Sequence, residues 1–327
     1  MIAYMRSPYR YWDSRTKHIV TMVMFVVLLF VVPSCAPESG PDTPIPESPY
    51  PDDSLSHMQD EQAVSTKPPA TPSPVIESTT PSAEGSTQSA CPEVEGRIER
   101  VEYSSHLVGK YVPVLVYLPP CYSEEREYPA LYLLHGKPQD EYHWLILGMD
   151  KVINQQIVAG EMGGLIVVMP EQPEPLFSQT DGGPGSYEGE FLSTLIPFIE
   201  ASYSVSSRND QRAVAGISRG GVWALEIAFL NPERFAGVAA LSPALNVNDA
   251  REEFDPLIIA QSAKAFSERI FLASGDVDSA ATETKRLHDI LVERGVPHRY
   301  TTVPGGHEGA TWEQLLDEML DYLVQGW

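Results

Sequence analysis

Residues Gly216-Ile217-Ser218-Arg219-Gly220 have the form G-x-S-x-G. A serine hydroxyl is a weak nucleophile unless it projects from a sharp turn toward a base, and small residues on either side let a strand and a helix approach closely enough to build that turn. The apolar run Ala213-Val214-Ala215 precedes the motif and residues 222–230 follow with helical character, so strand, turn and helix come in the required order. A glycine-rich turn with an exposed serine would look the same in isolation, so Ser218 gains meaning only with a base, an acid and an oxyanion site.

The chain holds eight histidines. His18 and His57 fall in N-terminal segments, His106 in a hairpin turn, His143 in a loop, His288 in an amphipathic helix and His298 at the start of a strand. His307 lies in Pro304-Gly305-Gly306-His307-Glu308-Gly309, a glycine-rich loop beyond the last predicted strand. An imidazole there can reach a serine at the carboxyl edge of a sheet. A carboxylate must fix the tautomer of that base and stabilise its imidazolium. The predicted strand 270–274 runs into Gly275-Asp276-Val277-Asp278, and either Asp276 or Asp278 can serve. A D-x-D pair can also bind a cation, but no further ligand-rich cluster accompanies it, and no metal or cofactor is implied. Attack on a carbonyl further needs N–H donors for the developing oxyanion. The backbone of Arg219, just after the serine, is one, and the loop after Leu133-Leu134-His135-Gly136-Lys137 supplies the other; His135 itself reads as structural.

These groups must be carried by a framework. Residues 97–103 and 111–118 alternate about a turn at 105–109 and predict an antiparallel hairpin. Continuous apolar runs at 130–134 and 164–169 suit strands buried on both faces, and further strands are expected at 211–215, 237–241, 270–274 and 299–303. Helical spacing covers 149–159, 191–203, 222–230, 280–294 and 311–324. Apolar strands alternating with amphipathic helices predict an α/β fold with a mostly parallel, doubly wound sheet, helices on both faces and the hairpin at its N-terminal side.

Outside that framework the composition changes. Arg6, Arg10, Arg15 and Lys17 precede the apolar run 19–32, which at 1.5 Å per residue spans only about 21 Å and reads as a signal peptide, residues 1–34, in preference to an uncleaved anchor. Val32-Pro33-Ser34-Cys35 resembles the lipobox of bacterial lipoproteins, which makes Cys35 the expected lipidated first residue of the mature chain. Pro, Ser and Thr form half of residues 36–90. Residues 35–90 therefore read as a disordered, extended tether that cannot bury enough surface to offset chain entropy, leaving 91–327 as the folded domain. That domain carries 17 Lys+Arg against 35 Asp+Glu. Such an acidic balance argues against nucleic acid and against direct adsorption to anionic lipid, so membrane contact is expected through the lipid anchor alone. Cys91 and Cys121 lie equally far from the hairpin turn and would face each other, which in an oxidising compartment predicts a disulfide.

Together YPALYLLHG (128–136), GISRGG (216–221), GDVD (275–278) and GGHEGATW (305–312) resemble the esterase family of α/β-hydrolases that contains feruloyl and acetylxylan esterases, S-formylglutathione hydrolase, enterochelin esterases and the antigen 85 mycolyltransferases. The order serine, acid, histidine is that of α/β-hydrolases. The resemblance implies a serine carboxylic ester hydrolase, which the signal peptide would place outside the cytoplasm, with Ser218 as nucleophile, His307 as base, Asp278 as acid and the N–H groups of Lys137 and Arg219 as oxyanion donors. Acyl transfer to a sugar or lipid hydroxyl by the same residues is the alternative within the family, and a binding lipoprotein without turnover the alternative outside it. Tyr142, Trp144 and Tyr187 follow loops beside the site and are candidates for its pocket; Trp223 and Trp312 lie on helices and read as core.

Overall fold

The computed structural model describes residues 93–327. The signal peptide, the tether, Cys35 and Cys91 lie outside the described residues. The strands are β1 (Arg97–Ser105), β2 (Lys110–Leu118), β3 (Ala130–Leu134), β4 (Ile166–Pro170), β5 (Arg212–Ile217), β6 (Gly237–Leu241), β7 (Arg269–Gly275) and β8 (Arg299–Val303). They form one sheet in the order β1-β2-β4-β3-β5-β6-β7-β8. β1 and β2 pair antiparallel, β2 and β4 likewise, and every pair from β4 to β8 is parallel.

The inner parallel strands β3, β4 and β6 are apolar throughout because both faces are covered, while the edge strand β8 is only partly buried and carries Arg299, Thr301 and Thr302. Alternate residues feed opposite cores: Tyr132, Leu134 and Val214 face one, Leu131, Leu133, Ala213 and Ala215 the other. The second core is closed by α1 (His143–Ile146) and α2 (Met149–Ala159). The first is closed by α3 (Tyr187–Glu190), a π turn (Phe191–Leu195), α4 (Ile196–Ser202), α5 (Arg219–Leu230), α6 (Pro256–Ser262) and α7 (Ala281–Glu293). α8 (Gly309–Glu313) and α9 (Leu316–Leu323) return to the second.

Three elements depart from the sequence expectation. The helix expected to begin at residue 191 begins at Tyr187, because the Ser186 side chain accepts from Gly189 N and so satisfies an otherwise orphaned donor of the first turn. The single helix expected over 311–324 is interrupted, with Leu315 N bonding back to Trp312 O at 3.0 Å before α9 starts. His143 sits on the short helix α1 and is buried, where the sequence suggested a loop.

One buried charge has a pH consequence. Glu226 on α5 is fully buried and neither of its oxygens finds a partner. Burial, then the neighbouring Glu188, push its carboxyl up from 4.5 to about 9. A raised folded-state value means the contribution to stability is present below about pH 4.5 and is lost as pH rises toward 9, because the unfolded chain ionises first. Glu226→Gln is expected to raise the melting temperature at pH 8 by more than at pH 5, and thermal denaturation across that range checks it.

Candidate active site

All the candidate chemistry gathers at the carboxyl edge of the parallel strands. Ser218 follows β5 directly and caps α5 with φ +54° and ψ −117°, a conformation that a non-glycine residue adopts only under strain. The surroundings hold it there: its N–H donates to Leu241 O at 2.9 Å, and its carbonyl accepts from Val222 N and Ala244 N. The flanking glycines are sterically required. A Cβ on Gly216 would lie 2.1 Å from Gly220 O, and one on Gly220 would lie 2.3 Å from His135 O.

His307 Nε2 lies 2.9 Å from Ser218 Oγ, and its Nδ1 lies 2.9 Å from Asp278 Oδ1. The Asp278 side chain is completely buried and also accepts from Ala280 N at 2.7 Å, while the His307 side chain is 31% exposed. Buried carboxylate, half-open imidazole and nearly buried hydroxyl thus form one hydrogen-bonded row that can move a proton off Oγ. Asp276, the other acid left open by the spacing, bonds elsewhere. Its Oδ1 accepts from Gly305 N at 3.0 Å and its N–H donates to Val303 O, so it pins the loop that carries His307.

The two expected oxyanion residues flank the serine. Arg219 opens α5, where a first-turn N–H has no intrahelical acceptor. Lys137 follows Gly136, where an added Cβ would come within 3.2 Å of Ser218 Cβ; the β3 loop therefore runs directly past the hydroxyl. His135 is buried and structural: its Nδ1 donates to Gly136 O at 2.9 Å and its Nε2 accepts from Gln172 N at 3.0 Å, tying the end of β3 to that of β4. Among the described residues no cluster of three or more His, Cys, Asp or Glu could hold a metal ion.

The aromatic pocket candidates separate. Tyr142 is 42% exposed, but Trp144 and Tyr187 are completely buried and belong to the two cores, not to a surface a substrate can reach. The reason is local. Trp144 points from α1 into the core beneath the sheet, and the Ser186 cap starts α3 early enough to turn Tyr187 inward against Trp223, 5.6 Å away. Conversely Trp312 is buried as expected yet touches the site. Its ring stands edge-on to His307 (5.2 Å, 89°) and to His143 (5.6 Å, 85°), and its Nε1–H donates to Ser242 Oγ at 2.9 Å. His143 is held neutral by burial, then by His135, with its value lowered to about 4. Trp312→Phe keeps a ring but loses the anchoring bond; we expect kcat to fall about tenfold with KM little changed, a split that steady-state kinetics reads directly.

Comparison with known proteins agrees with this architecture. A xylanase/feruloyl esterase of Xylanibacter ruminicola is 27% identical over 241 residues, covering 70% of this chain and 32% of that protein. An esterase of Mycobacterium tuberculosis is 28% identical over 66% of this chain and 56% of its own length. This chain thus spans about a third and about half of those two relatives. An acetyl esterase of Caldicellulosiruptor saccharolyticus is 23% identical and is covered over 97% of its length, with 69% of this chain aligned. The solved S-formylglutathione hydrolase of Staphylococcus aureus superposes with a TM-score of 0.62 at 20% identity, over 71% of this chain and all of that one. A ferulic acid esterase gives 0.61 at 22% identity over 71% and 98%. Residues 105–323 match the family described as "Putative esterase", and this chain, an α/β-hydrolase fold with its candidate groups at the carboxyl edge of the sheet, belongs to that family.

Proposed function

We propose that this protein is a serine carboxylic ester hydrolase that works through an acyl-enzyme on Ser218. The observation that carries the reading is the unbroken row from Ser218 Oγ through both nitrogens of His307 to Asp278. In the first half-reaction His307 Nε2 accepts the hydroxyl proton as Oγ attacks the ester carbonyl. Asp278 keeps Nδ1 protonated and balances the imidazolium, and the N–H groups of Lys137 and Arg219 take the charge on the carbonyl oxygen. Collapse of the tetrahedral intermediate returns the proton to the departing alcohol. Water then repeats the sequence and frees the acid. Incubation with a p-nitrophenyl ester and rapid acid quench should leave an acyl mass on the peptide containing Ser218, and a burst of nitrophenol without any such adduct would overturn the covalent route.

The names of the relatives, feruloyl and acetyl esterases, favour small acyl groups borne on a carbohydrate as the substrate class. We further propose that the domain works outside the cytoplasm, held to the bacterial membrane by lipid on Cys35 and spaced from it by residues 36–90. Cys91 bonded to Cys121 is part of the same proposal. It is supported by the approach of the chain just after Cys91, where the Glu93 carboxylate accepts from Cys121 N at 2.8 Å.

A further inference from the structure

Lys137 stands in the loop after β3, whereas Arg219 opens α5 beyond the end of β5. Their side chains converge on a single short segment, residues 174–178, which lies between β4 and α3 and contains the 3-10 turn Leu176–Ser178. Lys137 Nζ donates to Glu174 Oε1 at 2.9 Å and also to Ser178 Oγ, and that hydroxyl in turn donates to Glu174 Oε1 at 2.5 Å. From the other side, Arg219 Nε donates to Phe177 O at 3.2 Å, and Trp223 Nε1 reaches the same carbonyl at 3.4 Å. The guanidinium lies over the Trp223 ring at 5.0 Å, and its Nη1 donates to Asn248 Oδ1 at 3.1 Å. Leu176 and Phe177 are buried, and the Phe177 ring packs 5.0 Å from the ring of His135, two residues before Lys137.

We propose that residues 174–178 act as a strap that sets the distance between the two oxyanion donors, with Glu174, Ser178 and the Arg219 side chain as positioning residues. The inference rests on the reading of Lys137 and Arg219 as those donors. Its physical basis is the tolerance of the site: donors must sit about 2.7–3.1 Å from the oxygen that develops charge. A donor on the β3 loop has no helix to hold it, so something must fix it relative to the N-terminus of α5. The ion pair between Lys137 and Glu174 is exposed, at 54% and 51%, and pairs of that kind contribute little to folding. Its geometry is therefore better explained by placement than by stability. Burial pushes the Glu174 carboxyl up, but the bonds from Ser178 and Lys137 outweigh it and hold the group below its usual value, so the carboxylate is ionised at neutral pH.

A thiono ester, with sulfur in place of the carbonyl oxygen, tests the strap, because the longer C=S bond and the weak acceptor strength of sulfur defeat a hole shaped for oxygen. The full-length chain and its Glu174→Ala, Ser178→Ala and Arg219→Met variants would be assayed with p-nitrophenyl acetate and p-nitrophenyl thionoacetate, with Arg286→Gln, an exposed residue of α7, as the control. The native enzyme should favour the oxygen ester strongly. In the three strap variants kcat for the oxygen ester should fall about tenfold, KM should stay within about twofold, and the preference for oxygen should shrink. Native kcat and native preference in all three variants would overturn the strap and leave the donors standing. No preference in the unaltered enzyme would instead overturn the donor assignment, and the strap with it. Glu174→Ala removes a half-exposed side chain and both bonds to it, and carries the test even if Arg219→Met lowers stability.

Discussion

Replacing Ser218 by alanine should reduce ester turnover by at least about four orders of magnitude, since the residual rate then comes only from binding and the oxyanion donors. The effect is expected in kcat, with the fold intact, and p-nitrophenyl acetate hydrolysis against a matched blank measures it. A glycine at the same position adds a sharper result. Ser218 is held at φ +54° and ψ −117°, where a side chain costs on the order of 1–3 kcal/mol. Ser218→Gly removes both the hydroxyl and that strain, so it should be as inactive as the alanine variant yet melt at a higher temperature than the native protein. A serine retained at the price of stability is the behaviour of a functional residue. Equal turnover in native and alanine proteins would remove Ser218 from the mechanism.

The second large effect separates two aspartates that stand two residues apart. Asp278→Asn places an amide against His307 Nδ1 and favours the tautomer in which Nε2 carries the proton and cannot accept from Ser218. A loss of about 10³- to 10⁴-fold in kcat is expected. Asp276→Asn leaves that row untouched, and its amide oxygen can still accept from Gly305 N; kcat should stay within several-fold. Side-by-side kinetics with a thermal melt of each variant decides the matter, and a larger loss at Asp276 would reverse the assignment.

The contrast between these two residues marks the limit of what could be read without coordinates. Ser218 and His307 were legible because each sits in a glycine-dense loop just past an apolar strand, a local signal. β6 and β8 were legible to the residue for the same reason: both are short apolar or β-branched runs bounded by turn formers. Asp276 and Asp278 share one turn, and only the path of the β7 loop decides which carboxylate meets the imidazole; resemblance to the family pointed to Asp278, while spacing left both open. Trp144 and Tyr187 show the opposite failure. Position beside a loop says nothing about which way a ring points, and the Ser186 cap that turned Tyr187 inward is a polar signal in a segment where apolar periodicity had not begun. The contacts of Trp312 with His143 and of Lys137 with Glu174 join distant parts of the chain, and no periodicity encodes them.

Among the described residues β1 is an edge of the sheet with no strand paired beyond it, and the backbone groups along such an edge are a template for a strand from another molecule. Within the described residues it carries Arg97 and Glu99 in contact at 3.0 Å, and Arg100 and Glu102 in contact at 3.3 Å, each pair on one face of the strand. An approaching copy would have to desolvate these charges along with its own. The guard is electrostatic, so it weakens in concentrated salt. Aggregation of the folded enzyme should therefore begin at this edge under conditions that leave the active-site row, on the opposite half of the sheet, still assembled.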